Sequence, residues 1–372
     1  MRMQFVYTKI VPMKIHTLLF CLFIPLLSMS QEKNFSILGI VKDSATGTPM
    51  PGASVFAQNT TLGTITNADG NFFLRLPAGG YDLVISYTGY SKSVLRISNT
   101  IPLSDTVEIW LTKQDSAMDA VDFVVSSETP NGLERFGAFF MEHFIGTTPN
   151  AKQCIIENPE ALHFYYSKKR NRLKITAHED LIIKNYALGY TIRYQLDSFR
   201  YDYKTLISQY NGHALFELMD STEAAIIQWE KNRAATYLGS RLHFMRALYN
   251  RELAEEGFIV EKMIRKPGRT ATGELLADVY DDSRFRTDSS GVIITWDGRH
   301  RIGYKRVWPS KEYLKEFNFP EDTKMQVSII DVHAPFTIEE NGYFYDQADM
   351  VNAGYWAWKK LAELLPYDFE YD

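Results

Sequence analysis

Gly63-Thr64-Ile65-Thr66-Asn67-Ala68-Asp69-Gly70-Asn71-Phe72-Phe73-Leu74-Arg75-Leu76-Pro77-Ala78-Gly79-Gly80-Tyr81 is the stretch that decides the fold of the N-terminal part of the chain. Phe72, Leu74 and Leu76 recur at a period of two, the spacing of a strand with one buried face. Asn67 to Asn71 predicts a tight hairpin loop, with Gly70 free to adopt the left-handed conformation, and Pro77 to Gly80 a second turn. On either side the pattern continues as short alternating segments broken about every ten residues. Strands are expected at Phe35 to Val41, Ala53 to Gln58, Gly63 to Thr66, Phe72 to Leu76, Tyr81 to Tyr87, Ser91 to Ile97 and Asp105 to Leu111. Helical periodicity is absent there, so the segment predicts an all-β sandwich of seven strands.

The same residues carry a family resemblance. Gly39-Ile40-Val41 with Asp43, Thr46-Gly47, Pro49 and Pro51-Gly52-Ala53, then Gly63 to Asn67 with Asp69-Gly70 and Phe72, then Leu76-Pro77 with Gly80-Tyr81 and Ser86 to Tyr90, resemble the carboxypeptidase-regulatory-like domain of Bacteroidetes proteins. The resemblance implies a transthyretin-like (prealbumin-like, Ig-like) sandwich over residues 31–112 with no catalytic residues of its own. It also implies that such modules precede outer-membrane nutrient receptors or unrelated periplasmic and surface domains.

Upstream, residues 1–30 hold Arg2, Lys9 and Lys14, no acidic residue, and the apolar run Leu18 to Leu27. A basic segment, a short apolar run and the small residues Ser28 and Ser30 predict a signal peptide cleaved before Gln31, with Met1 or Met13 as the start. The run is about half the roughly 20 residues a membrane-spanning helix needs, and Cys21 lies inside it, away from a lipoprotein cleavage point. The mature chain is therefore expected to be exported, to lack a transmembrane segment and a lipid anchor, and to lie in the periplasm, at the outer membrane or on the cell surface.

Downstream, residues 113–130 read as a polar linker with one apolar stretch, Val121 to Val125. Residues 131–372 read as an α+β domain with a mainly antiparallel sheet. Ala161 to Ile175 predicts a hairpin with its tip at Ser167 to Asn171, and Leu181 to Ile183, Tyr190 to Leu196 and Phe199 to Tyr203 predict further strands. From Ser221, a candidate N-cap, the period changes to that of two helices joined near Gly239 and stopped by Gly257. Phe258 to Ile264, Val292 to Trp296, Ile302 to Val307 and Met325 to Val332 read as strands, with Asp297-Gly298 as a hairpin turn. A final helix is expected over Ala348 to Leu365. Gly146, Cys154, Asn158-Pro159, Leu188-Gly189-Tyr190 and Glu256-Gly257-Phe258, among others between 139 and 258, resemble an uncharacterised region that follows the regulatory-like module in many Bacteroidetes envelope proteins, which implies no known activity.

The chemistry of the obvious enzymes is missing. No His-x-x-Glu occurs, so the metal trace of a zinc carboxypeptidase is absent. A phosphate loop, a dinucleotide fingerprint and a Gly-x-Ser-x-Gly elbow are absent too. Glu160 and His163 are three apart and would face opposite sides of a strand. His213 and Glu217 would share a face only on a helix, and read as a surface pair. His178-Glu179-Asp180 reads as a polar turn, and the Asn67 to Gly70 loop lacks the bidentate Glu of a calcium loop. Cys154, the single thiol left after cleavage, sits in apolar strand context and reads as a buried packing residue. The expectation is accordingly no catalytic, cofactor-binding or metal-ligating residue. Convergence of Cys154 with His163 or His178, or of several carboxylates, in a concave pocket would instead mark a hydrolase.

Of the 372 residues, 40 are Lys or Arg and 45 Asp or Glu, a net charge of −5, so no global basic field exists to hold nucleic acid. Basic tips at Lys168-Lys169-Arg170 with Arg172, at Arg265-Lys266 with Arg269, and at Arg299-His300-Arg301 read as solvated hairpin ends. Aromatic residues make up 14% and supply material for packing or for a sugar-stacking platform. After the linker too few residues remain for a receptor barrel. The sequence reads as a non-catalytic exported protein that binds or scaffolds, with an envelope protein or glycan as partner. A hydrolase within residues 131–372 and an accessory factor for an outer-membrane transport system are the alternatives.

Overall fold

The computed structural model describes residues 34–101, 106–114, 128–264, 272–276, 278–288, 291–345, 347 and 350–371. The expected signal peptide, Asp105, the Val121 to Val125 stretch, Arg265-Lys266 with Arg269, and Ala348 lie outside them.

All seven expected N-terminal strands form: β1 (Asn34–Asp43), β2 (Ser54–Ala57), β3 (Gly63–Ile65), β4 (Asn71–Pro77), β5 (Gly80–Ser86), β6 (Ser93–Ser98) and β7 (Val107–Leu111). They make two sheets, ordered β4-β1-β7 and β3-β2-β5-β6, with β1 and β7 parallel and the other pairs antiparallel. Ile37, Val41, Leu74, Leu76, Leu83 and Ile85 close the space between them. The Asn67 to Asn71 turn is present, with Asn67 Oδ1 accepting from the amides of Asp69 and Asn71 at 3.0 and 2.9 Å. It is not a hairpin, however. The strands it joins belong to different sheets, so it carries the chain across the sandwich. Gly70 is needed there, because at φ +73° an added Cβ would stand 2.7 Å from the Val41 carbonyl oxygen.

The middle of the chain begins with a helix absent from the expectations, α1 (Gly132–Phe144), followed by β8 (Cys154–Ile156), β9 (Leu162–Ser167), β10 (Arg172–Ala177), β11 (Leu181–Asn185), β12 (Tyr190–Asp202) and β13 (Ile207–Leu218). The expected strands at 190–196 and 199–203 are one long strand, interrupted by an irregularity between Leu196 and Ser198. β13 runs antiparallel along β12 over its whole length, while β11 and β10 pair with its two halves. Phe140 and Phe144, four apart on α1, seat their rings on this sheet against Phe199 and Tyr194.

Two helices follow, α2 (Glu223–Tyr237) and α3 (Arg241–Tyr249). The N-cap of α2 is Thr222 rather than Ser221, its hydroxyl accepting from the Ala225 amide at 3.4 Å, and Ser240 caps α3. The last part holds β14 (Phe258–Ile264), β15 (Thr272–Leu275), β16 (Phe285–Asp288), β17 (Gly291–Ile294), β18 (Gly298–Tyr304), α4 (Lys311–Glu316), β19 (Gln326–Val332), β20 (Phe336–Ile338), β21 (Met350–Gly354) and α5 (Tyr355–Trp358). These strands form two antiparallel sheets, β15-β14-β18-β19-β21 and β16-β17-β20. Asp297-Gly298 therefore links strands of different sheets instead of closing a hairpin. The expected helix over 348–365 is replaced by β21, the four residues of α5 and a 3₁₀ turn at Leu361–Glu363, because Met350 to Gly354 pairs with β19.

The sandwich is built into the rest of the fold. Tyr343, Tyr345 and Tyr367 belong to its buried cluster. Asn59 donates its amide to the Ala214 carbonyl at 2.7 Å, Phe216 donates to Thr60 at 2.8 Å and Tyr367 to Asn59 at 2.7 Å, which fastens the β2–β3 connection to β13 and the C-terminal segment. Gln58 with His213, Ser86 with Gln195, and Lys92 with Asp197 extend the seam.

Candidate functional site

The sequence candidates fall in separate places. Cys154 begins β8, is buried, and offers its thiol to the Asn150 carbonyl at 3.5 Å, while burial pushes its pKa up to about 12. Such a thiol is a packing group. His213 and Glu217 lie on strand β13 and take different partners: His213 Nδ1 is 2.7 Å from Gln58 Oε1, and Glu217 accepts from Arg193 Nε at 2.6 Å. Burial pulls the His213 pKa below its ordinary value, and Lys92 adds to that. The basic residues of β18 are neutralised by neighbouring strands, Arg299 by Asp331 and Arg301 by Glu261, and His300 between them is buried. Reading 299–301 as a solvated hairpin end is thus corrected: the run lies along a strand.

Two of the histidines do converge. His163 Nε2 on β9 lies 3.1 Å from Nδ1 of His178, just past the end of β10, and His163 Nδ1 lies 2.8 Å from Glu128 Oε1. A hollow of about 450 Å³ is lined nearby by Glu128, Gly132, Glu160, Leu162 and Phe164. His163 stands between Leu162 and Phe164 on the strand and so points to the opposite face. The imidazoles and the hollow share Glu128, and the two histidines are not among the residues that line it.

A second hollow, of about 540 Å³, is open and brings aromatic and charged side chains together. It lies where the ends of β11, β12 and β13 meet α2, and is lined by Glu157, Lys184, Tyr186, Thr191, Glu217, Asp220 and Trp229, among others. Lys184 Nζ donates to Thr191 Oγ1 at 3.1 Å, which holds the amine at the cleft wall. Trp229 is fixed by donating Nε1 to the Tyr186 carbonyl at 2.8 Å and by lying against Gly189. At Gly189, φ is +67° and an added Cβ would come within 2.2 Å of the indole, so the glycine is what lets the ring close on the backbone. Arg233 keeps the Leu188 carbonyl at 2.7 Å, bracing the same turn from α2. Tyr186 is about half exposed. Two aromatic rings, one amine and carboxylates around an open hollow suit a ligand with many hydroxyl groups, which needs an apolar face to stack on and charged acceptors and donors at its rim. Sequence reasoning missed this cleft, because its lining comes from the ends of four separate elements.

Residues 37–123 match the family described as the CarboxypepD_reg-like domain, and the N-terminal sandwich is a domain of that kind. A stretch of 79 residues is 40% identical to part of the TonB-dependent receptor SusC of Bacteroides thetaiotaomicron, covering 21% of this chain and 8% of the receptor. The chain thus spans a small fraction of that relative. Among solved structures, 3-chlorocatechol 1,2-dioxygenase from Rhodococcus opacus is 13% identical, over 22% of this chain and 60% of that one, with a TM-score of 0.18. The Bacillus anthracis TIE protein is 11% identical, over 51% of this chain and 32% of that one, with a TM-score of 0.17. Likenesses this slight carry no argument. Among the described residues no helix is long and apolar enough to cross a membrane.

Proposed function

We propose that the protein is a non-catalytic, exported envelope protein that binds glycan in the cleft between β11–β13 and α2, serving beside an outer-membrane transport system. The observation that carries the reading is the cleft itself, with Tyr186 and Trp229 beside Lys184, Glu157 and Glu217. Stacking on the rings supplies contact area at little conformational cost, and the charged rim supplies hydrogen bonds that fix orientation. The regulatory-like sandwich and its likeness to part of a TonB-dependent receptor support placement at the envelope. The seam that fastens the sandwich to β13 supports a scaffold in which the sandwich holds the cleft-bearing sheet at a fixed orientation.

Isothermal titration of the full chain against oligosaccharides released from envelope and dietary polysaccharides tests this. A fitting sugar binds the wild type and loses at least tenfold in affinity in Trp229→Ala and in Lys184→Ala, the second variant leaving the packing on Gly189 intact. Absence of binding across the panel, or binding indifferent to both substitutions, overturns the reading.

A further inference from the structure

We propose that His163 and His178 form a binding site for a divalent late transition-metal ion, with Glu128 fixing the first imidazole from behind. The site is separate from the aromatic cleft and does not rest on the glycan reading.

The β9–β10 hairpin creates the juxtaposition. His163 is the register partner of Thr176, so His178, two residues further on, lies diagonally across on the same face. The hydrogen bonds fix the tautomers. His178 Nδ1 is 3.0 Å from the Ala161 carbonyl, a pure acceptor, so it carries the proton. His163 Nε2, 3.1 Å away, is then an acceptor, and its Nδ1–H is donated to Glu128. A ligating imidazole nitrogen must present a free lone pair, which His163 Nε2 does here.

The spacing fits one ion. Zinc–imidazole bonds of roughly 2.0–2.1 Å at a tetrahedral angle set the two nitrogens about 3.3 Å apart, against 3.1 Å here. The ion would sit to one side of the line joining the two nitrogens, in place of the hydrogen bond between them. His178 ligates as the tautomer that carries its proton on the outer Nε2, so the Nδ1 proton passes to that nitrogen or to solvent. His163 keeps its Nδ1–H on Glu128, the carboxylate–histidine arrangement that raises ligand basicity and holds the ring. His178 is exposed, and a rotation that releases Nδ1 from the Ala161 carbonyl aims both lone pairs at one point, the carbonyl keeping the His178 backbone amide at 3.2 Å. Among the described residues no three His, Cys, Asp or Glu side chains close on a single point. The ion would therefore have two protein ligands and keep open positions, and Cu(II) would bind more tightly than Zn(II).

The test is titration of the full chain with Cu(II) and with Zn(II) against a chromophoric chelator, together with EPR of the Cu(II) form. One ion per chain is expected, with superhyperfine splitting from two nitrogens. His163→Ala and His178→Gln each reduce the coupling to one nitrogen and weaken binding at least tenfold. Glu128→Gln weakens it by roughly 10–100-fold while keeping both nitrogens. Circular dichroism reports whether each variant folds, and His178→Gln retains a donor for Ala161. Absence of stoichiometric binding in the wild type, or binding and splitting unchanged in folded His178→Gln, overturns the proposal.

Discussion

Tyr343 donates its hydroxyl to Asp82 Oδ1 at 2.8 Å, joining β5 of the sandwich to the segment after β20 across 261 positions of sequence. The bond is backed by Asn341, whose side chain donates to the Gly80 carbonyl at 3.0 Å and accepts from the Gly80 amide at 3.3 Å. Burial, with Asp82 adding to it, holds the Tyr343 phenol far above its ordinary pKa, so it remains a donor at every physiological pH. Tyr343→Phe keeps the ring and removes the bond to a charged acceptor, a loss of roughly 1.5–3 kcal/mol. Urea unfolding should show the midpoint falling with the slope unchanged.

Glu339 gives the same seam a pH dependence. Its carboxyl is buried, accepts from Tyr345 Oη at 2.5 Å, and is also bonded by Ser98 and Thr100, with Glu340 nearby and Arg96 lying over the Tyr345 ring. Burial raises its pKa above the ordinary carboxyl value of 4.5. A raised acid favours the folded state most below the unfolded pKa, and that advantage is lost as pH rises through the folded pKa. Glu339→Gln should flatten the decline in stability above pH 4.5, seen by comparing urea midpoints of the two proteins across that range.

Cys154 makes a simpler prediction. With its pKa pushed up to about 12 and its side chain buried, it should not react with a thiol reagent at pH 8 in the folded protein, and should react fully in denaturant. Rapid labelling without denaturant would contradict the packing described for β8.

How far the sequence could be read depended on whether structure was decided locally. Each sandwich strand is marked by its own alternation and turn residues, so the strand positions were legible. Which sheet each strand joins was not, and the Asn67–Gly70 turn crosses between sheets for that reason. The spacing of Phe136, Phe140 and Phe144 carried the signal for α1, weakened by Gly132 and Gly137 within the helix. Tyr355, Trp356, Trp358, Leu361 and Leu365 mimic a helical stripe, but pairing of Met350 to Gly354 with β19 overrides it, and at Gly354 an added Cβ would stand 2.6 Å from the Val327 carbonyl oxygen. Tertiary pairing outweighs local preference there. The cleft depends on which strand ends meet, which the spacing of its residues does not encode, whereas the histidine pair follows from the register of the expected β9–β10 hairpin.

Gly189→Ala tests how the cleft is built. The left-handed backbone costs an alanine roughly 1–2 kcal/mol, and the 2.2 Å approach forces Trp229 away from its place over the turn. The variant should melt at a lower temperature, shift tryptophan emission to the red and bind glycan more weakly. Unchanged emission would show that the indole does not rest on Gly189.

The central claim is that sugar is held in the Tyr186–Trp229 cleft and not turned over. The most direct measurement is prolonged incubation of the full chain with a bound oligosaccharide, followed by mass spectrometry of the recovered sugar and by difference NMR of the bound state. The account predicts intact sugar, with saturation transfer to its ring protons that disappears in Trp229→Ala. Cleaved sugar, or saturation transfer that survives in Trp229→Ala, would contradict it.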